Sequence, residues 1–231
     1  MRAQSDARAA LAVGLLAALV FVVLAVLVMS PFGIAFDGAV LGGVQQTATP
    51  SVVAAMGLLT RLGNEFIIVA LPLVLLWLWR RRLRQQAVEV LIATLGAQLL
   101  NDALKLTFHR PRPSVFVSVI PGQAFSFPSG HAMVSIAFYG ALAVIGWRVL
   151  RGRARIAWLT TMTAVVFLVG VSRLFLDVHY PTDILASWAG GLFWLDATLA
   201  LVRTVADRRA SATHRRRRPN PIGGPPCTNA R

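Results

Sequence analysis

Residues 9–29, AALAVGLLAALVFVVLAVLVM, carry no charge. As a helix such a run crosses the ~30 Å hydrocarbon core of a bilayer. Backbone polar groups in lipid must be satisfied internally, so a continuous apolar run of this length dictates helix. A cleaved signal peptide is the competing reading. The apolar core is too long for a typical signal sequence and no convincing small-residue cleavage site follows it, so a retained span is expected. Further apolar runs cover residues 62–79 (with Pro72 inside), 87–108, 131–147, 156–171 and 184–202. The expected fold is an all-α, six-helix transmembrane bundle, with an amphipathic stretch over 39–59 lying along the outer interface. A chain that is 56% hydrophobic and 14% charged is no ordinary soluble domain. Its one cysteine, Cys227, excludes an intrachain disulfide.

The net charge of +14 is a matter of placement. Arg2 and Arg8 precede the first run. Arg80, Arg81, Arg82 and Arg84 join the second to the third, and Arg148, Arg151, Arg153 and Arg155 join the fourth to the fifth. Arg208, Arg209 and Arg215 to Arg218 follow the sixth. With six crossings all four segments share one side, which the positive-inside rule makes the cytoplasm. The expected organisation is a membrane domain over 1–207 and a basic, disordered cytoplasmic tail over 208–231. Both termini are then inside a bacterial cytoplasmic membrane. Trp79, Trp147 and Trp158 fall at the same boundary, as an aromatic belt would. The arginine run of the tail reads first as anchoring, with anionic lipid heads as the alternative. Charge disposed in this way excludes a nucleic-acid partner. The sequence assigns no oligomeric state.

What the insertion rule leaves unexplained is the basic and imidazole content of the other side. Arg110, Arg112, Arg173, His109, His131 and His179 gather there, near Lys105, the only lysine among 23 basic residues. In FPSGHAM (127–133), Ser129 is a good N-cap, Gly130 permits close approach to the backbone, and His131 opens an apolar helix. A helix start presents free N–H groups and a positive dipole end, suited to phosphate. In KLTFHRPRP (105–113), Lys105, Arg110 and Arg112 are cations leaving the membrane, suited to phosphoryl oxygens. Interfacial snorkelling, or pairing of Lys105 with Asp102, is the plainer alternative. In SRLFLDVHYPTD (172–183), Pro181 marks a helix start and places Asp183 in its first turn, within reach of His179. A carboxylate on one imidazole nitrogen fixes the tautomer and leaves the other free to attack. A second histidine can protonate the leaving oxygen.

These segments resemble the type 2 phosphatidic acid phosphatase (PAP2) superfamily. Lys-x6-Arg-Pro is present as Lys105, Arg112 and Pro113, and Pro-Ser-Gly-His as Pro128, Ser129, Gly130 and His131. Ser-Arg-x5-His-x3-Asp is present as Ser172, Arg173, His179 and Asp183, without a departure. The resemblance implies His179 as nucleophile through a phosphohistidine, Asp183 as its orienting partner and His131 as general acid. It implies Lys105, Arg112, Ser129, Gly130 and Arg173 as phosphate ligands, with no metal and no cofactor. The acids on this side (Asp37, Glu65, Asp102, Asp177 and Asp183) show no metal-ligand spacing. The substrate implied is a lipid phosphate: phosphatidic acid, phosphatidylglycerol phosphate or undecaprenyl pyrophosphate. A phosphotransferase would use the same residues. An anion-binding transporter would need the cations but not the His179–Asp183 pair, and the soluble haloperoxidases with these motifs lack six spans.

The residues outside the motifs take plainer readings. His109 and Arg110 read as loop polarity, with contact to the headgroup as the alternative. Arg61 and Glu65 read as a pair on a helix surface, with lining of the substrate path as the alternative. Asp196 reads as structurally paired or protonated. Asp177 has no assigned role.

Overall fold

Turn residues and apolar runs together set the helix boundaries. The computed structural model describes residues 2–113 and 124–217, with side chains over 8–113, 124–209 and Ser211. The described helices are α1 (Arg2–Leu27), α2 (Pro31–Gln46), α3 (Pro50–Thr60), α4 (Glu65–Arg80), α5 (Arg84–Phe108), α6 (Gly130–Val149), α7 (Gly152–Phe175) and α8 (Pro181–Arg217). Six segments are long and apolar enough to cross a membrane, and the chain is a multi-pass, all-helical membrane protein. Arg208 to Arg217, expected to begin a disordered tail, continue α8. The remainder of that tail, 218–231, lies outside the described residues, as does 114–123 of the loop before the Pro-Ser-Gly-His segment.

The second crossing departs from the expectation. Residues 39–59 are not one interfacial helix. Ser30 caps α2 by accepting from Gly33 N (3.0 Å), with Pro31 following. Thr47 closes α2, and Thr49 with Pro50 opens α3. Each is a helix-start signal of hydroxyl cap plus Pro in the first turn. The crossing then runs from Pro50 to Arg80. It is interrupted at a 3₁₀ turn, Arg61–Gly63, and at Asn64 (φ −141°, ψ −76°). α4 continues through Pro72.

α6 is the central helix, packed on α5, α7 and α8. Its inward residues Met133, Ala137, Phe138 and Ala141 meet Val90, Ala93 and Ala97 of α5 and Leu195 and Leu199 of α8. Lipid tails are as apolar as leucine, so close packing rather than water exclusion holds such helices together. Three indoles do much of this, each seated against a glycine of a neighbouring helix. Trp188 and Trp194 of α8 fill the space over Gly170 (α7) and Gly96 (α5), and Trp158 of α7 that over Gly146 (α6). Trp158 therefore faces inward, its Nε1 donating to Leu142 O (2.9 Å). Of the three expected belt residues, Trp79 and Trp147 stand outward, with Arg84 and Arg155 over their rings. α1 lies on α8 at the edge, where Gly14 abuts the Asp196 carboxylate. At the arginine-rich end Arg148 donates to the buried Glu89 (2.9 Å).

Candidate active site

At the opposite end from that pair, four helix termini converge. α5 ends in a left-handed residue, His109 (φ 48°), which turns the chain into Arg110. The segment then runs beside residues 125–126. Pro111 and Phe125 form an isolated bridge, and Ser126 N donates to Arg110 O (2.7 Å). Lys105, buried in the last turn of α5, donates to Phe125 O (3.0 Å), and Asp102 accepts from Gln98 (2.9 Å). Lys105 is thus tied to backbone, not paired with Asp102.

α6 begins at Gly130, after Ser129 in the N-cap conformation. The Ser129 hydroxyl, contrary to expectation, makes no capping bond. Its N–H donates to Ser187 Oγ (2.6 Å), which itself donates to Asp183 O. The buried Ser129 Oγ has no partner among the described residues. A Cβ on Gly130 would stand 3.0 Å from Asn101 Oδ1, so only glycine leaves this approach open.

α7 ends in a Schellman motif. Val178 N donates to Arg173 O (3.3 Å) and Asp177 N to Leu174 O (3.0 Å), with Asp177 left-handed (φ 53°). Asp tolerates that conformation better than most residues. This is the role of the one residue in SRLFLDVHYPTD that the sequence left unassigned. α8 starts at once. Asp183 Oδ2 accepts from Tyr180 N (2.9 Å), the reach-back of a capping box. His179 stands between the two caps. Its Nδ1 lies 3.5 Å from Asp183 Oδ2, somewhat longer than a hydrogen bond.

A cavity of about 380 Å³ opens among these termini. Lys105, Arg112, Gly130, His131, Arg173 and His179 line it, with Gly63, Asn64, Ile68, Gln98 and Asn101. Six of the eight residues singled out from sequence therefore face one space; Ser129 and Asp183 stand just behind its wall. Arg112 donates to Val178 O (3.1 Å), bracing the residue before His179. Arg173 donates to Thr60 (2.8 Å) while its buried Nε stays unpartnered. Burial, then the positive charges of Arg173, Arg112 and Lys105, hold the His179 imidazole well below its ordinary pKa. It is thereby kept neutral. Among the described residues no three His, Cys, Asp or Glu side chains gather to hold a metal ion.

Sequence reasoning missed the layer behind Asp183. Arg110, read as loop polarity, is buried (6% exposed) and donates to Asp183 Oδ1 (2.5 Å) and to Asp37 Oδ2 (2.6 Å). Asp37 is wholly buried and accepts from Thr182 N (2.9 Å). His109, by contrast, is exposed, its ring edge on Phe125. Arg61 and Glu65 form no ion pair, because the 3₁₀ turn and Asn64 break the helical spacing between them. Glu65 acts electrostatically on Arg173 instead.

A model of the PAP2 superfamily matches residues 86–207. The chain belongs to the PAP2 superfamily. Among curated PAP2 relatives, it is 35% identical over 97 residues to phosphatidylglycerophosphatase B of Bacillus subtilis (strain 168), 41% of this chain and 47% of that protein. It is 35% identical over 133 residues to undecaprenyl-diphosphatase BcrC of the same organism, 54% of this chain and 63% of that one. The chain thus spans between about half and two-thirds of the length of these relatives. Among solved PAP2 structures, it matches the first transmembrane PAP2 type phosphatidylglycerolphosphate phosphatase from Bacillus subtilis, with TM-score 0.72 and 25% identity. That match covers 84% of this chain and 96% of the other. Aquifex aeolicus LpxE shares the fold (TM-score 0.57, 18% identity, 71% and 95% covered).

Proposed function

We propose that this chain is a membrane lipid phosphate phosphatase. It hydrolyses a phosphomonoester or terminal pyrophosphate without metal, through a phosphohistidine. The observation that carries the reading is one cavity walled by three cations from separate segments and by two histidines from different helix termini. Lys105, Arg112 and Arg173 neutralise the phosphoryl oxygens, whose charge spreads further in the transition state. The Ser129 hydroxyl and the first N–H groups of α6 at Gly130 complete the cradle. With Nδ1 turned toward Asp183, His179 offers Nε2 to phosphorus. The N–P bond forms as the P–O bond to the lipid breaks, and His131 gives a proton to the leaving oxygen. Water then attacks the phosphohistidine, with His131 taking its proton, and orthophosphate leaves.

The names of the relatives, phosphatidylglycerophosphatase, undecaprenyl-diphosphatase and lipid A 1-phosphatase, favour a substrate with its tail in the bilayer. Phosphatidic acid, phosphatidylglycerol phosphate and undecaprenyl pyrophosphate are the candidates. The arginine placement supports a cytoplasmic membrane location with termini inside and the cavity outside.

The test uses purified protein in detergent with EDTA. It should release orthophosphate from at least one of these lipids, and His179→Ala should abolish release. Unchanged turnover by His179→Ala would refute the nucleophile, and a C-terminal tag accessible on intact cells would refute the orientation.

A further inference from the structure

We infer that Arg110 and Asp37 are positioning residues for the nucleophile, acting through Asp183. The inference rests on the phosphohistidine reading above. Its basis is a buried chain, Asp37–Arg110–Asp183–His179, that joins three separate segments.

The links from Asp37 through Arg110 to Asp183 are short and directional, and the last, to His179, is a 3.5 Å electrostatic contact. Asp183 is held at both oxygens, Oδ1 by Arg110 Nη1 (2.5 Å) and Oδ2 by Tyr180 N (2.9 Å). With both oxygens fixed the carboxylate cannot rotate, and Oδ2 stays turned toward His179 Nδ1 at 3.5 Å. Arg110 is fixed in turn. Its Nη2 donates to Asp37 Oδ2 (2.6 Å), its Nη1 also donates to Thr182 Oγ1 (3.1 Å), and its guanidinium lies 4.1 Å from the Tyr180 ring centre. Asp37 is locked by Thr182 N (2.9 Å) and the Thr182 hydroxyl. It thus caps α8 from another helix, where a carboxylate also complements the helix dipole. A planar guanidinium can bridge two carboxylates; an ammonium is a point charge and cannot hold both in one plane.

The charge count matters as much as the geometry. Arg110 alone with Asp183 would be a neutral pair. Asp37 shares the guanidinium, so the cluster as a whole carries one net negative charge, the sign that complements the imidazolium formed when His179 Nε2 takes the phosphoryl group. None of these three side chains lines the cavity, whose cations are Lys105, Arg112 and Arg173. Phosphate binding and nucleophile positioning are therefore served by different arginines within the same RPRP segment.

The two roles separate experimentally. Asp37→Asn and Arg110→Lys are compared with wild type for kcat, KM and inhibition by orthophosphate. A misplacement of ~1 Å at a reacting group costs about 10²-fold, so both variants should lose kcat on that order. KM and the orthophosphate inhibition constant should stay near wild type, which also shows the variants folded. In an Asp183→Asn background, Arg110→Lys should cause little further loss, because the residue through which it acts is already disabled. The inference is overturned if Asp37→Asn keeps wild-type kcat. It is equally overturned if Arg110→Lys raises KM and the inhibition constant at constant kcat, or if its loss is undiminished beside Asp183→Asn. Should Arg110→Lys fail to fold, the isosteric Asp37→Asn decides between these outcomes alone. Turnover by His179→Ala would sink the phosphohistidine reading itself. An inactive His179→Ala beside a fully active Asp37→Asn would sink only this inference.

Discussion

Gly170→Ala adds one methyl where α7 crosses α8. That methyl would stand 2.9 Å from both Ile184 Cγ2 and Trp188 Cε2, and nearer still to Trp188 Cζ2. Carbon atoms pack comfortably at ~3.5–4.0 Å, so the 2.9 Å contacts alone require the two helices to part locally by at least ~0.6–1.1 Å. Gly170 lies one helical turn before Arg173, and Ile184 follows Asp183 directly. The displacement thus falls between Arg173, proposed as a phosphate ligand, and Asp183, proposed to orient His179. A shift of ~1 Å there should lower kcat about 10²-fold. The overpacking itself should cost about 1–3 kcal/mol of stability. The assay is orthophosphate release in detergent, with a thermal unfolding curve on the same preparation. Gly42→Ala, where a Cβ meets nothing within 4 Å, is the matched control and should behave as wild type. Gly170→Ala combined with Trp188→Leu should turn over faster than Gly170→Ala alone. Wild-type turnover and midpoint for Gly170→Ala would refute the claim that this crossing sets the site.

Two further outcomes follow from charge. Because burial and the cations hold His179 well below its ordinary pKa, phosphoenzyme formation measured by rapid quench should not fall with a midpoint near pH ~6.5. The same depression means the unfolded histidine binds its proton first. Stability should therefore decline as pH drops below ~6.5, and His179→Asn should flatten that decline. At the far end of the bundle, Arg148→Ala leaves the buried Glu89 without its cation. It should cost about 3 kcal/mol, the low end for a broken buried pair because Arg148 is 30% exposed. Glu89→Gln in the same chain should restore part of the melting temperature.

The crossings and the cavity residues were legible because each rests on short-range pattern: apolar runs for the helices, fixed spacing for the motifs. What escaped the sequence depended on partners far along the chain or on facing. Asp37 meets Arg110 across 73 residues, and no spacing links them. Arg110 looked like a loop charge because burial is invisible where Pro and Arg alternate. Arg61 and Glu65 have the right interval for a helical pair, but a 3₁₀ turn breaks the interval's meaning. Trp158 was placed by its depth along the membrane, whereas its direction is set by Gly146 on the next helix. The break between α2 and α3 was written in Thr-Ala-Thr-Pro, but the apolar character around it read as one helix.

The two adjoining caps around His179 give the Ser-Arg-x5-His-x3-Asp pattern a mechanical reading. From Arg173 to Val178 the chain executes one helix ending, closed by the bond from Val178 N to Arg173 O. From Tyr180 to Asp183 it executes one helix beginning, closed by the bond from Tyr180 N to Asp183 Oδ2. His179 is the single residue left between them. The spacer lengths thus measure how many peptide units stop one helix and start another, and owe nothing to the size of a phosphate. The two closures fix the number of residues in the spacers, while Asp177, Tyr180 and Thr182 within them carry contacts or conformations of their own. One residue more or less in either spacer would open the closure that spans it and leave the imidazole tethered on one side alone.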